Sequence, residues 1–276
     1  MTINCNGRLI DLSEPKIMGI LNTTPNSFYD GGSNHSMDLI FQKIEKHLND
    51  GADILDVGGY STKPGAEVVS EQEEIDRTAP VIEKIIERYP DLIISVDTFR
   101  GNVAKEAVKA GASIINDVSG FELDENMLKT VGELKVPYIL MHMKGTPQTM
   151  QNNPHYEDVT LEVNQYFSEK IAALRLLGVN DIILDPGFGF AKTLEHNYEL
   201  FNNLEVLGFG DFPLLVGISR KSMIYKMFGS TPQDSLNGTT ALNMVALQKG
   251  AKILRVHDVK EAKETLQIYN ALKGKY

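Results

Sequence analysis

The chain has 276 residues, with 27 Lys and Arg against 37 Asp and Glu, a formal net charge of −10. Hydrophobic residues at 42% and charged residues at 23% are those of an ordinary globular protein and exclude disordered, collagenous and coiled-coil classes. The acidic balance argues against nucleic acid as a partner, because gripping a phosphate backbone takes a dense basic face, but it leaves room for a small local anion site. In chain order, short apolar runs predict strands at Lys16–Leu21, Asp53–Val57, Leu92–Val96, Ser113–Asn116, Pro137–Met141, Asp181–Leu184, Pro213–Gly217 and Lys252–Val256. Nearly continuous apolar character is expected of parallel strands buried on both faces. Between them, spacing near 3.6 predicts helices, as in Leu39, Ile40, Ile44 and Leu48, or Ile75, Val81, Ile82, Ile85 and Ile86.

Gly51, Gly111, Gly178 and Gly250 each stand between a helical pattern and the next strand, the position that favours a left-handed cap. Four such joints and eight strand-helix alternations favour an α/β fold closed as a (β/α)8 TIM barrel over an open doubly wound sheet. No linker, charge block or low-complexity tract divides the chain, so residues 1–276 are read as a single domain. The lone cysteine, Cys5, excludes an intramolecular disulfide, a CxxC pair and a cysteine-based zinc site. The first residues lack a basic stretch followed by an apolar one, and no run reaches about 18 apolar residues, so a cytoplasmic protein with no membrane partner is expected.

In such barrels the chemistry sits where strands end. The predicted strands run into Asn22, Gly58-Gly59-Tyr60, Asp97-Thr98, Asn116-Asp117, His142, Asp185, Ser219-Arg220-Lys221, and Arg255, His257 and Asp258. Two connections, 22–36 and 58–70, are long for βα joints and read as lids, with Phe28, Tyr29 and Tyr60 available to cover a flat ligand. Asp97, Asn116 and Asp185 come from separate strands and suit a heterocycle with several N–H groups, with Lys221 facing the ring's acceptors. Asn22, Arg255 and His257 come from strands one and eight, neighbours in a closed barrel, and form a donor-rich patch suited to phosphate. Ser219-Arg220-Lys221-Ser222 is expected to open a helix whose free N–H groups favour an anion. His142 is read as a packed histidine, and His47, His155 and His196 receive no role. No GxxxxGK[ST], GxSxG or HExxH pattern is present. Asp185-Pro186-Gly187-Phe188-Gly189-Phe190 lacks the GxGxxG spacing, and its glycines are expected to let the chain turn closely across the barrel mouth.

The segments MGILNTTPNSF ending at Phe28 and GADILDVGG ending at Gly59 resemble the two signature segments of the dihydropteroate synthase family. Further ordered matches are SVDTF ending at Phe99, INDVSG ending at Gly120, MHMKGTPQTMQ ending at Gln151, DPGFGFAKT ending at Thr193, GISRKS ending at Ser222 and RVHDV ending at Val259, spanning essentially the whole chain. The resemblance implies a (β/α)8 barrel that joins 6-hydroxymethyl-7,8-dihydropterin diphosphate to 4-aminobenzoate, giving 7,8-dihydropteroate and pyrophosphate on the folate pathway, with Mg2+. It further implies that Asp97, Asn116, Asp185 and Lys221 hold the pterin. Asn22, Arg255 and His257 would hold the diphosphate, with Asn22 also a ligand of the magnesium. Thr62, Lys63, Pro64, Phe190 and Ser222 would shape the aminobenzoate site, and Phe28 and Asp30 would belong to the first loop. A homodimer through outer helices near the C-terminus is implied as well.

Of these residues, Asp97, Lys221, Arg255 and His257 are the expected catalytic set, because diphosphate departure leaves an anion and a delocalised cation that both need stabilising. The chain departs from the family pattern at Thr23 and Asn26, where Val and Asp are usual, and at Tyr60 and Lys63, where Glu and Arg are usual. Lys63 keeps the charge and loses the planar fork. Two other readings stay open: a methyltetrahydrofolate-dependent methyltransferase, which has no diphosphate to hold, and a catalytically silent pterin-binding protein. Pyrophosphate release that requires both substrates separates them.

Overall fold

Alternation along short strands sets the architecture. The computed structural model describes residues 1–23, 34–61, 69–146, 150 and 154–275, and for residues 34–36 the backbone alone. An antiparallel hairpin opens the chain, β1 (Thr2–Cys5) and β2 (Arg8–Asp11), joined by Asn6-Gly7 with φ of +52° and +87°. Two successive positive φ values in Asn-Gly are the signature of a tight two-residue hairpin turn. Eight parallel strands follow: β3 (Lys16–Asn22), β4 (Ile54–Gly58), β5 (Ile93–Asp97), β6 (Ile114–Asp117), β7 (Tyr138–Met141), β8 (Ile182–Asp185), β9 (Leu215–Val216) and β10 (Ile253–Val256). Their order is β8-β7-β6-β5-β4-β3-β10-β9, and a parallel bridge between Leu184 and Leu214 joins β8 to the start of β9, closing the barrel.

Helices alternate with the strands: α1 (Asn34–Asn49), α2 (Glu71–Arg88), α3 (Gly101–Lys109), α4 (Met127–Leu134), α5 (Val159–Leu176), α6 (Leu194–Asn202), α7 (Ser222–Tyr225), α8 (Leu236–Gln248) and α9 (Val259–Leu272). Side-chain oxygens of Ser70, Asp158 and Thr193 accept from the backbone N–H three residues on and fix where α2, α5 and α6 begin. The four expected glycine joints all have positive φ: Gly51 +97°, Gly111 +117°, Gly178 +77° and Gly250 +96°.

The strands carry two apolar faces. Outward residues such as Ile17, Leu55, Ile94, Ile115, Leu140, Leu184, Val216 and Leu254 pack with helical residues in the main core. Inward, each strand contributes one residue to a lower layer: Met18, Ile54, Ile93, Ile114, Ile139, Ile183, Leu215 and Ile253. Ile3, Cys5 and Leu12 from the hairpin segment pack on that layer, so the hairpin plugs the end of the barrel at which the strands start. Two residues further along, on the same inward face, the character changes to Asp56, Ser95, Asn116, Asp185 and Arg255. The pleat thus places an apolar floor under a polar mouth.

Strand edges lie about one residue later than the apolar runs predict, because Asn22, Gly58, Asp97, Asp117 and Asp185 continue the ladder. β9 is only two residues long, against an expected five. The first expected lid, 22–36, is shortened at its far end, since α1 starts at Asn34.

Candidate active site

Arg255 enters the barrel from β10 and crosses the mouth to two acids. Its Nε donates to Asp56 Oδ2 at 2.6 Å and its Nη2 to Asp97 Oδ2 at 2.6 Å. Asn116 Nδ2 donates to the same Asp56 oxygen at 2.9 Å. Asp56 and Asn116 are buried, and Arg255 and Asp97 keep 19% and 16% of their side chains exposed toward the mouth. Burial pushes the Asp97 carboxyl up to about 7; the Arg255 guanidinium opposes the shift, and the nearby Asp56 charge adds to it. Arg255 is raised as well: burial works against its charge, but Asp56 and Asp97 outweigh that and hold it above the usual guanidinium range.

The opposite wall comes from β8 and β9. Asp185 is buried and its Oδ1 accepts from Gly187 N at 2.8 Å; burial raises its pKa while the Lys221 charge opposes. Lys221 Nζ donates to Phe188 O at 2.5 Å and lies 4.7 Å from the centre of the Phe190 ring. Burial draws its pKa down to about 8, with Asp185 opposing. Gly217 supplies no side chain on this wall, and a Cβ there would stand at ordinary contact distance, 3.9 Å, from Lys221 Nζ. On the facing strand a Cβ at Gly58 would lie 3.4 Å from Asp97 Cβ. Acids, an amide and two cations around such a gap suit a flat ring with N–H donors on one edge and acceptors on another.

The Asp185–Phe190 segment turns sharply, as its glycines lead one to expect. Gly187 has φ +68°, and a Cβ there would fall 2.0 Å from the carbonyl oxygen of His142. His142 is buried, with Nδ1 2.9 Å from Lys192 Nζ, and is the packed histidine expected. Lys192 also donates to Gly187 O and Phe190 O, each at 3.1 Å, and ties the turn down from inside. Burial lowers Lys192 to about 7, with Asp185 opposing.

The rim holds the remaining residues. Asn22 ends β3 beside Gly58 and is exposed. His257, just past β10, is exposed, with Nδ1 3.1 Å from Ser219 Oγ, which also accepts the His257 backbone N–H at 3.1 Å. Ser222 is half-buried and opens α7, the expected helix, which is four residues long. Arg220, with φ +57°, is committed to Asp258 through Nε–Oδ2 at 2.9 Å and Nη2–Oδ1 at 2.5 Å, and does not add to the anion patch. Phe28, Asp30, Thr62, Lys63 and Pro64 lie outside the described residues, as does Tyr29. Tyr60, the last lid aromatic, is buried, 5.3 Å edge-on from Phe99 and under the Arg100 guanidinium.

Residues 18–257 match the family described as pterin binding enzyme. The dihydropteroate synthase of Escherichia coli K12 is 45% identical over 98% of this chain and 96% of its own, and that of Haemophilus influenzae is 42% identical over 98% of each. The chain belongs to the dihydropteroate synthase family. Its fold follows that of solved members: the Yersinia pestis synthase, in complex with a sulfonamide drug, superposes with a TM-score of 0.92 at 42% identity over 99% of both chains. The Xanthomonas albilineans synthase, in complex with 7,8-dihydropteroate, gives 0.88 at 36% over 100% of both.

For a dihydropteroate synthase, the structure brings Asp97, Asn116, Asp185, Lys221 and Arg255 to one mouth and leaves Asn22, His257 and Ser222 on its rim. Sequence reasoning missed Asp56 and Lys192. Asp56 lies one pleat beyond Ile54 inside an apolar run, so the period-2 rule was the signal for it. Among the described residues no helix is long and apolar enough to cross a membrane.

Proposed function

We propose that this chain is a dihydropteroate synthase that joins 6-hydroxymethyl-7,8-dihydropterin diphosphate to 4-aminobenzoate, releasing pyrophosphate and 7,8-dihydropteroate. The observation that carries the reading is the Asp56–Arg255–Asp97 cluster facing Asp185 and Lys221 across the barrel mouth. The two walls offer acceptors to ring N–H groups and cations to ring acceptors and to the diphosphate.

In the reaction the methylene C–O bond breaks and its electron pair leaves with diphosphate. The arylamine lone pair then forms the C–N bond, and the surplus N–H proton passes to solvent or to the released pyrophosphate. Arg255 retains three N–H groups after its bonds to Asp56 and Asp97, and these, with His257, draw charge onto the departing oxygens. Asp97, ionised above about 7, stabilises the positive charge that develops on the pterin methylene. Asn116 and Asp185 orient the ring, and Lys221, steadied by Phe188 O, meets its acceptors. The arylamine is already nucleophilic, so positioning suffices and no covalent enzyme intermediate is required. Phe190, with Ser222, Thr62, Lys63 and Pro64, is assigned to its site, and Phe28 and Asp30 to the first loop.

Mg2+ takes few protein oxygens and completes its shell with water and phosphate. The exposed Asn22 amide at the end of β3 fits that demand beside the diphosphate patch, and Mg2+ there would neutralise charge on the leaving group. Ordered binding follows, with pterin diphosphate or pyrophosphate preceding 4-aminobenzoate. Work in the cytoplasm and a homodimer through outer C-terminal helices complete the reading; Ile268 and Leu272 on α9 are exposed at 57% and 70%. Incubation with both substrates and Mg2+, followed by mass analysis, should give 7,8-dihydropteroate. Unchanged substrates from folded protein would refute the assignment.

A further inference from the structure

Asp56 sits at the centre of four inter-strand steps. It lies on β4, Asn116 on β6 two strands to one side, and Arg255 on β10 two strands to the other. Both reach back to one atom, Asp56 Oδ2, at 2.9 Å and 2.6 Å. Ser95, the cross-strand neighbour of Asp56 on β5, is small enough for Asn116 to pass over. Among the described residues neither Ser95 Oγ nor Asp56 Oδ1 has a hydrogen-bond partner, although both residues are fully or almost fully buried. A buried carboxylate with one orphaned oxygen is costly for folding. The same face of the strand holds Ile54 one pleat below, so an apolar residue would be the cheaper filling.

We infer that Asp56 is a positioning residue that fixes which atom of Asn116 meets the pterin, an inference that rests on the reading above. The Asp56 oxygen that accepts from Arg255 Nε has only lone pairs to offer, so Asn116 must turn its NH2 group toward it. The amide oxygen is then left to accept from a ring N–H, and only one N–H of the NH2 group remains to donate. The same oxygen pins Arg255 Nε and leaves its other N–H groups for Asp97 and the mouth. Asp56 itself does not touch the substrate.

The test is titration of the folded protein with 6-hydroxymethylpterin, which lacks the diphosphate and so isolates the ring contacts. Asp56→Ala should weaken binding at least about tenfold, equivalent to about 1.4 kcal/mol. In an Asn116→Ala background the same change should cost less than about threefold, because the residue it acts through is gone. Asp56→Asn keeps a carbonyl oxygen that accepts from both neighbours and should bind within about threefold of the unsubstituted protein. Should Asp56→Ala fail to fold, Asp56→Asn carries the test, since a tenfold loss there in folded protein overturns acceptor geometry as the cause. Unchanged affinity in Asp56→Ala, or an equal loss in both backgrounds, also overturns it. If the unsubstituted protein does not bind the pterin, the reading of the site as a pterin site has failed instead.

Discussion

Replacing Asp97 with asparagine should make the protein more stable and nearly inactive. The Asp97 carboxyl titrates at about 7 in the fold against an ordinary 3.8, chiefly through burial. Below about 3.8 the folded and unfolded states both hold the proton and nothing is lost. Between the two values the unfolded chain ionises while the folded one does not, so stability falls as pH rises and levels off above about 7. That displacement corresponds to about 4 kcal/mol. The substituted amide carries no charge to desolvate, and its oxygen can still accept from Arg255. The expected gain at pH 8 is therefore about 1 to 4 kcal/mol, shrinking toward zero near pH 4. Guanidinium unfolding at pH 8 and pH 4 measures both, and turnover at pH 8 should fall by at least about 100-fold for want of the carboxylate. A variant less stable than the unsubstituted protein at pH 8, or equally stabilised at both pH values, would show that burial does not hold the Asp97 carboxyl up.

Three further outcomes are expected. The acid limb of kcat/KM should fall below about pH 7 with the uptake of one proton, as Asp97 becomes neutral, and a flat profile down to pH 5 would contradict its role. Gly187→Ala should cost about 3 kcal/mol or more in urea unfolding, because its Cβ would meet a backbone oxygen at 2.0 Å and its φ is +68°. Thr193→Ala should cost about 1 kcal/mol by removing the cap of α6, with turnover little changed.

Much of the barrel was legible because strands buried on both faces leave unbroken apolar runs, and because Gly51, Gly111, Gly178 and Gly250 punctuate the helix ends. The polar strand ends pointed to Asp97, Asn116, Asp185 and Arg255 for the same reason: the ladder stops where side chains meet the mouth. What escaped was set by tertiary contact. Asp56 was hidden inside the run Asp53–Val57, where only the alternation of faces separates it from Leu55 and Val57. The pairing of Arg220 with Asp258, 38 residues away, had no local signal. The hairpin had a local signal in Asn6-Gly7, flanked by short alternating segments, yet its use as a plug depends on Ile3, Cys5 and Leu12 finding the eight inward residues of the barrel floor. Lys192 gave no signal in sequence, since three acceptors for a buried ammonium exist only once β7 and β8 lie side by side.

The most direct test of the account is continuous measurement of pyrophosphate release. Release should require pterin diphosphate, 4-aminobenzoate and Mg2+ together, and should fall at least about 100-fold in Arg255→Ala. Release that proceeds at the same rate without 4-aminobenzoate, or that survives intact in Arg255→Ala, would contradict a synthase built around the Asp56–Arg255–Asp97 cluster.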